Sequence, residues 1–184
     1  IPLSAYDSCR LISINLKNFV KNKFTDRAKF DYKKFSEVIS AGMRLSDDLV
    51  ELEVEKLEKI IGVCDTSDEK QMWSRLLDAC KNGRRTGLGT HGLADAIANL
   101  NLRYDSPEAL KEIDKIYETL KLISYGESAD LAKERGAFPI FDWDTEKSNS
   151  YISRLPNFLR DKISRFGRRN ISILTNAPTG SVSI

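Results

Sequence analysis

The sequence predicts an α/β protein that is mostly helical and whose few strands run parallel. Two short apolar runs, Arg10–Leu16 (RLISINL) and Ile171–Leu174 (ISIL), have the composition of buried strands. A short extended piece, Arg85–Gly89, lies between them, and apolar residues recur at helical spacing through most of the remaining chain. Because helices that connect strands place those strands in parallel, we expect one parallel sheet covered by helices. Two or three strands cannot close a sheet, so we expect its other strands to lie outside this sequence and the present edges to be exposed.

The longest predicted helix begins after Asp31, whose side chain can cap it. The polar and basic segment before it, Lys17–Lys29, is interpreted as a surface connection. Apolar residues continue at helical spacing beyond Asp31, but their register shifts before Leu57, which predicts a kink near Glu53. The segment Gly62–Ser67 ends this helix.

The remaining helices have recognisable boundaries. An apolar stripe predicts a helix over Asp68–Lys81, which an Asn-Gly pair ends. A short helix is predicted over Leu93–Leu100, and Ser106 followed by proline is a strong start for a long one. The last predicted helix covers Pro156–Phe166 and stops at a glycine.

The composition argues against several classes of protein. Lys and Arg total 29 and Asp and Glu total 27, so the formal net charge of +2 does not indicate a nucleic-acid-binding protein. No apolar run approaches the roughly 18 residues of a membrane span, and no signal peptide is visible. The cysteines Cys9, Cys64 and Cys80 include no Cys-x-x-Cys pair, and His91 is the single histidine, so we expect neither a metal site nor a disulfide framework. A cytoplasmic location is the expectation that follows.

Several polar residues are interpreted as surface groups. The carboxylates of the first helix are expected to form a solvated face rather than an acid–base pair: Asp47, Asp48, Glu51, Glu55 and Glu58. The arginine pairs before the strands are expected to form surface salt bridges: Arg84, Arg85, Arg168 and Arg169. Cys64 and Cys80 are interpreted as inert, and His91 as a hydrogen-bonding partner in a turn.

The segment Gly87–Gly92 (GLGTHG) matches the G-x-G-x-x-G pattern of a dinucleotide-binding turn. In that interpretation a pyrophosphate lies at the N-terminus of the following helix. The context differs from a βαβ unit, because the element after that helix is another long helix. The alternative is a tight strand-to-helix turn in which glycines allow close packing.

A second candidate is the stretch Thr175–Ser183, which follows the second apolar run. Its small residues leave backbone N–H groups uncrowded, and a helix after it would help to attract a phosphate. The segment contains no Lys, so it is not a Walker loop. An ordinary Pro-Thr-Gly turn is the alternative.

Five segments resemble the catalytic subunit of ribonucleotide reductases, most closely the adenosylcobalamin-dependent (class II) group. They follow the family's order along the chain: IPLSAYDSCRLISINL (Ile1–Leu16), RRTGLGTHGLADA (Arg84–Ala96), LRYDSPEA (Leu102–Ala109), LAKERGAFPIFDW (Leu131–Trp143) and GRRNISILTNAPTGSVSI (Gly167–Ile184). The resemblance implies part of a ten-stranded α/β barrel, with residues 1–184 as an incomplete central segment of the barrel domain. It also implies that GLGTHG is a strand-to-helix connection of that barrel.

The resemblance implies two functional sites in this segment. Cys9 matches one of two cysteines that deliver reducing equivalents to the substrate, and the neighbouring Ser8 is predicted to contact the substrate. The segment that holds the substrate phosphates is matched by Ala177, Pro178, Thr179, Gly180, Ser181, Val182 and Ser183. The family's Asn-x-Cys-x-Glu motif, with the radical cysteine, would end just before Ile1, and the partner of Cys9 would lie further upstream.

The implied activity is radical reduction of ribonucleotides to 2′-deoxyribonucleotides for DNA synthesis. The complete enzyme would use adenosylcobalamin, and a thioredoxin-like dithiol would reset the disulfide that Cys9 forms. The expected partners are the ribonucleotide, the remaining segments of the chain and a second copy in a homodimer, without nucleic acid or membrane. The isolated segment is expected to be inactive, and the choice between diphosphate and triphosphate substrates stays open. Two other interpretations also stay open: a nucleotide-cofactor-binding domain that uses GLGTHG, and a non-catalytic helical interaction module.

Overall fold

Helices surround a small parallel sheet in the computed structural model, which describes residues 3–182. The strands are β1 (Arg10–Asn15), β2 (Val20–Lys21), β3 (Lys29–Phe30) and β4 (Thr86–His91). The α-helices are α1 (Tyr32–Val63), α2 (Ser67–Gly83), α3 (Leu93–Asn99), α4 (Pro107–Arg135), α5 (Trp143–Glu146), α6 (Asn157–Phe166) and α7 (Thr179–Val182). Short 3₁₀ helices cover Leu16–Phe19 and Ile152–Arg154.

β4 is the central strand of the sheet. On one side it pairs in parallel with β1, from Arg10 opposite Thr86 onward. On its other side lie residues 171–175, called here the third-strand segment. Leu88 makes two backbone hydrogen bonds with this segment. Its N–H donates to Ile173 O at 2.9 Å, and its carbonyl oxygen accepts from Thr175 N at 3.1 Å. The predicted parallel arrangement is confirmed, although the ISIL run forms a bridge to β4 rather than a full strand.

One face of the sheet is covered by helices and forms the main core. Ile14 of β1, Leu88 of β4 and Ile173 of the third-strand segment are buried together with Phe35 and Ile39 of α1. Burial of each such side chain contributes about 1.5–3 kcal/mol relative to exposure. The predicted α/β class, mostly helical in this segment, is therefore confirmed.

The segment Lys17–Lys29 is more structured than a surface connection. β2 and β3 form an antiparallel pair with Val20 opposite Phe30. Both of these side chains and that of Phe19 are buried in the main core. The sequence did not reveal this pair because nine mostly polar and basic residues separate Phe19 and Val20 from Phe30, so no apolar alternation is visible.

α1 begins where the sequence predicts, because Asp31 Oδ1 accepts a hydrogen bond from Lys34 N at 3.1 Å. The helix continues without a break past Glu53, where the register shift predicts a kink. The shift coincides with a change of packing partner. The first half of α1 packs on the sheet, whereas Val54 and Leu57 pack on α2.

Asp47 of α1 is completely buried, so its predicted place on a solvated face is wrong. Its carboxylate accepts from Arg84 Nη2 at 2.8 Å, Arg135 Nη1 at 3.0 Å and Arg169 Nε at 3.2 Å. Asn170 Nδ2 donates to the same carboxylate at 3.3 Å. A buried carboxylate is retained only with such partners, because desolvation of an unpaired charge is very costly.

The arginine pairs are therefore structural rather than superficial. Arg85 Nε donates to Asp7 Oδ2 at 2.6 Å, and Arg168 Nη2 donates to Glu146 Oε2 at 2.7 Å. Both arginines are buried, as are Arg84 and Arg169. The prediction of surface salt bridges is wrong because each pair immediately precedes a buried strand segment, so all four side chains are buried with their partners.

Candidate active site

Residues near the two ends of the described part of the chain come together over Gly87. A Cβ atom on Gly87 would lie 2.8 Å from Cys9 Sγ, 2.5 Å from Thr175 Cγ2 and 2.9 Å from Leu11 Cδ2. These separations are shorter than van der Waals contacts, so the three side chains can meet there only because Gly87 has no side chain. We call the side of the sheet that carries Cys9, Leu11, Gly87 and Gly89 the glycine face.

Gly89 allows an even closer approach on the same face. Its Cβ would lie 1.7 Å from Thr175 O and 3.0 Å from Asn176 Oδ1, so the chain passes directly over it. Both glycines are inside β4, and the turn into α3 is made by Gly92, which has a φ of +70°. The extended piece predicted over Arg85–Gly89 is confirmed by β4, and the strand-to-helix connection is confined to Gly92 instead of extending over GLGTHG. A dinucleotide fingerprint requires its first glycine in the turn, so the cofactor-domain alternative loses its structural basis.

The Cys9 thiol is half-buried beside two arginines. Burial raises its pKa, and the positive charges of Arg85 and Arg10 oppose this only in part, so the net pKa is raised. Cys9 is therefore a neutral thiol at neutral pH. Among the described residues all three cysteines are free. A thiol in this state can donate hydrogen without first losing a proton.

The other cysteines lie away from the glycine face. Arg10 alternates with Cys9 along the chain and so points to the opposite side of the sheet, where its Nη2 donates to Cys80 Sγ at 2.9 Å. Burial raises the pKa of Cys80 to about 11. Cys64 follows the last residue of α1. Neither sulfur is brought next to Cys9, which agrees with their interpretation as inert.

Ser8 is engaged with α1. Its hydroxyl donates to Glu53 Oε1 at 3.1 Å, and Glu53 also accepts from Arg10 Nε at 2.6 Å. The backbone N–H of Ser8 donates to Asp7 Oδ1 at 2.8 Å. These contacts fix the approach to Cys9, and a substrate contact through the Ser8 hydroxyl would require it to leave Glu53.

Residues 176–182, called here the C-terminal loop, follow the third-strand segment and end in the short helix α7. Pro178 O accepts from Ser181 N at 3.0 Å and from Val182 N at 3.2 Å. The residues at the tip are exposed, namely Pro178, Thr179, Gly180 and Ser181, whereas Ala177 and Val182 are half-buried. Ser183 lies outside the described residues. The loop therefore presents small polar residues to solvent next to the glycine face.

The base of the C-terminal loop is held by side-chain contacts that the sequence did not indicate. Asn176 Oδ1 accepts from Thr90 N at 3.1 Å, and the hydroxyls of Thr90 and Tyr117 lie 3.1 Å apart. Asn176 Nδ2 makes a longer contact of 3.5 Å with the Tyr117 hydroxyl. The ring of Tyr117 is partly buried on α4, and its hydroxyl faces the base of the C-terminal loop.

His91 acts as the hydrogen-bonding partner that the sequence predicts. Its Nδ1 lies 2.9 Å from Ser13 Oγ, at the C-terminal ends of β4 and β1. Within residues 3–182 there is no group of three or more His, Cys, Asp and Glu side chains that could hold a metal ion. In the same range, no helix combines the length and the apolar character needed to cross a membrane.

Comparison with known proteins identifies the family. Residues 1–184 match the model of the ribonucleotide reductase barrel domain. The chain belongs to this family, as the segments that resemble it predict.

Curated relatives are similar over 95–100% of the chain. It is 28% identical over 185 residues to the vitamin B12-dependent ribonucleoside-diphosphate reductase of Mycobacterium tuberculosis, covering 100% of this chain and 21% of the relative. It is 30% identical over 186 residues to the protein of the same name from Thermoplasma acidophilum, covering 100% and 19%. The ribonucleoside-diphosphate reductase subunit alpha of Chlamydia pneumoniae is 27% identical, with coverage of 95% and 17%. The chain thus spans about a fifth of the length of these relatives.

A solved structure supports the fold. The class Id ribonucleotide reductase alpha subunit of Actinobacillus ureae aligns with a TM-score of 0.62 over 95% of this chain and 25% of its own length. Sequence identity in that alignment is 22%. The mostly helical segment with few strands is therefore a fragment of an α/β fold of the ribonucleotide reductase type.

Proposed function

We propose that this chain is a central segment of a ribonucleotide reductase catalytic chain. In this proposal Cys9 is one of the two thiols that reduce the substrate, and the C-terminal loop holds the substrate phosphates. The observation that carries it is the meeting of Cys9 and Thr175 over Gly87. A ribonucleotide whose phosphates lie on the loop would have its sugar over the glycine face, near the thiol.

The chemistry requires a second thiol. Reduction of a ribonucleotide removes the 2′ hydroxyl as water and takes two electrons and two protons from a pair of thiols, which become a disulfide. Cys64 and Cys80 are unsuitable partners, because Cys80 lies on the other side of the sheet and Cys64 lies at the end of α1. We therefore place the partner of Cys9 elsewhere in the complete chain, where a thioredoxin-like dithiol would reduce the disulfide by thiol exchange.

The neutral state of Cys9 suits this role. Its raised pKa keeps the proton on sulfur, so the thiol can supply one proton and one electron. Arg85 and Arg10 limit the increase in pKa, which favours the Cys9 sulfur as a leaving group when the thiolate of a reductant attacks its disulfide. Arg85 is itself fixed by Asp7 at 2.6 Å.

The C-terminal loop supports phosphate binding by its composition and exposure. Thr179 and Ser181 offer hydroxyl donors, and glycine between them leaves space for an anion. A site built from these hydroxyls would hold the substrate without a mobile lysine, whereas the backbone N–H groups of Ser181 and Val182 already donate to Pro178 O. Ser183, outside the described residues, stays part of the proposed phosphate site.

Adenosylcobalamin is proposed only for the complete chain. The names of two relatives contain the term vitamin B12-dependent. The described residues do not themselves define a cobalamin site, since the single histidine is engaged with Ser13 and no metal-binding group is formed among them. We also propose that this segment works together with the remaining segments of the reductase chain, that the complete chain forms a homodimer, and that it is located in the cytoplasm.

The decisive experiment substitutes Cys9 in the complete reductase chain. We expect Cys9→Ser to reduce turnover with a dithiol reductant to background, while the matched control Cys64→Ser retains it. Peptide mapping after turnover without reductant should show the wild-type Cys9 in a disulfide. Normal turnover of Cys9→Ser would show that the redox assignment is wrong.

A further inference from the structure

Tyr117 stands between two clefts that meet at the base of the C-terminal loop. One cleft, of about 560 Å³, lies between α4 and the end of the third-strand segment. The other, of about 670 Å³, lies at the C-terminal ends of β1 and β4, and its lining includes Lys17, His91 and Thr179. Tyr117 and Asn176 line both clefts, so they form part of the wall between them.

The Tyr117 hydroxyl closes a ring of polar contacts. Thr90 N donates to Asn176 Oδ1 at 3.1 Å, and the Thr90 hydroxyl lies 3.1 Å from that of Tyr117. Asn176 Nδ2 faces the Tyr117 oxygen at 3.5 Å. Since a tyrosine oxygen can accept one hydrogen bond while its O–H donates another, both contacts can exist together.

This ring acts on the loop through a short and stiff connection. A single residue, Ala177, separates Asn176 from Pro178, whose ring fixes its own φ and restricts the residue before it. The direction in which the loop leaves the sheet therefore depends on the orientation of Asn176. The other end of the ring is anchored on α4, where Ile116, next to Tyr117, is completely buried in the core.

We propose that Tyr117 is a positioning residue that fixes the C-terminal loop for the substrate phosphates through Asn176 and Thr90. This inference rests on the proposed function, because it assumes that the C-terminal loop binds the substrate phosphates. It adds that α4, through Tyr117, holds the loop in place. It assigns Tyr117 no contact with the reacting atoms. Loss of its hydroxyl should weaken nucleotide binding and leave the chemical step unchanged.

The test uses the complete reductase chain with Tyr117→Phe, which keeps the ring and removes only the hydroxyl. We expect the KM for the ribonucleotide to rise about three- to tenfold, the range that corresponds to one hydrogen bond, with kcat nearly unchanged. The Kd for the same nucleotide, measured by equilibrium dialysis, should rise by the same factor. Thr90→Val should give the same change, and the double variant should add little, because both act on one contact.

Tyr32→Phe is the matched control. Tyr32 also joins α4 to a neighbouring element, since its hydroxyl donates to Glu112 Oε1 at 2.6 Å, but it does not contact the loop. Its KM and Kd should stay at the wild-type values. The proposal is overturned if Tyr117→Phe leaves the Kd unchanged, or if Tyr32→Phe raises it equally.

The two proposals can fail separately. A wild-type chain that binds the nucleotide but does not reduce it would contradict the proposed function, while a raised Kd in Tyr117→Phe would still support positioning. A wild-type chain that reduces ribonucleotides with a KM insensitive to Tyr117→Phe would contradict positioning alone. Absence of any nucleotide binding by the complete wild-type chain would overturn both.

Discussion

Cys9 and Thr175 lie near opposite ends of the described chain and meet over Gly87, where both would contact a single added carbon at less than 3 Å. The parallel order of β1, β4 and the third-strand segment produces this relationship, because β4 lies between the other two. A side chain on the central strand would separate them. The absence of a side chain on Gly87 therefore allows the Cys9 thiol to lie next to the residue before the C-terminal loop.

Gly87→Ala should destabilise the chain and displace Cys9. The new methyl group would overlap Thr175 Cγ2 and Cys9 Sγ, and overpacking of this kind costs about 1–3 kcal/mol. Urea denaturation measures the change in the free energy of unfolding. The control is Gly126→Ala in α4, where an added Cβ would meet no atom within 4 Å and better helix propensity should stabilise by up to about 1 kcal/mol. Equal stability of Gly87→Ala and wild type would show that Cys9 and Thr175 are not held together as described.

Asp47→Asn should be the most destabilising of the polar substitutions considered. The change removes the charge that pairs with Arg84, Arg135 and Arg169 and leaves buried guanidinium groups without it. Breaking a buried pair in this way typically costs about 3–5 kcal/mol. Glu58→Gln is the control, because its pair with Lys81 is exposed and should contribute no more than about 1 kcal/mol. Similar unfolding free energies for the two variants would contradict the structural role of Asp47.

The same carboxylate predicts sensitivity to acid. Burial pulls the pKa of Asp47 upward, but Arg84 and Arg169 outweigh it and lower the pKa in the folded state. A depressed folded pKa stabilises the chain at pH values above the unfolded pKa of about 3.9, and this stabilisation is lost as the pH falls toward the folded value. Unfolding free energies should therefore decrease below about pH 4 in the wild type, and less steeply in Asp47→Asn. Parallel pH profiles for the two proteins would contradict this assignment.

Helix boundaries were predictable because their causes are local. Asp31 caps α1, and Ser106 Oγ accepts from Ala109 N at 3.2 Å at the start of α4. Gly136, with a φ of +87°, follows the last residue of α4. Each of these signals acts within one helical turn, so the sequence alone contains it.

The burial of Asp47 was not predictable in the same way. Nothing near it in the chain differs from an exposed carboxylate, and its partner Arg169 is 122 positions away. The roles of Gly87 and Gly89 depend likewise on Thr175, which crosses them from the other end of the chain. A glycine in a turn and a glycine under a crossing segment have the same one-letter pattern.

The residues of the candidate site also differ in whether the sequence could indicate them. The resemblance to a family indicated Cys9 and the C-terminal loop, because both are short continuous motifs. Tyr117 and Thr90 were missed because their function depends on a contact with Asn176 rather than on neighbours in the chain. Hydrogen bonds between residues that are far apart in the chain, such as these, could not be predicted from the sequence alone.

The outer side of β1 should make the 184-residue chain associate at high concentration. Within the described residues β1 pairs only with β4, and beside its unpaired side lies an apolar groove of about 480 Å³ whose lining includes Ile12, Val38 and Leu45. An unpaired strand next to an apolar groove can pair with another copy. Light scattering should therefore show a mass above that of the monomer, and Leu45→Lys should shift it toward the monomer. Leu110→Lys is the control, because Leu110 is similarly exposed but lies on α4. A clean monomer at high concentration, or an equal effect of both lysines, would show that this edge does not drive association.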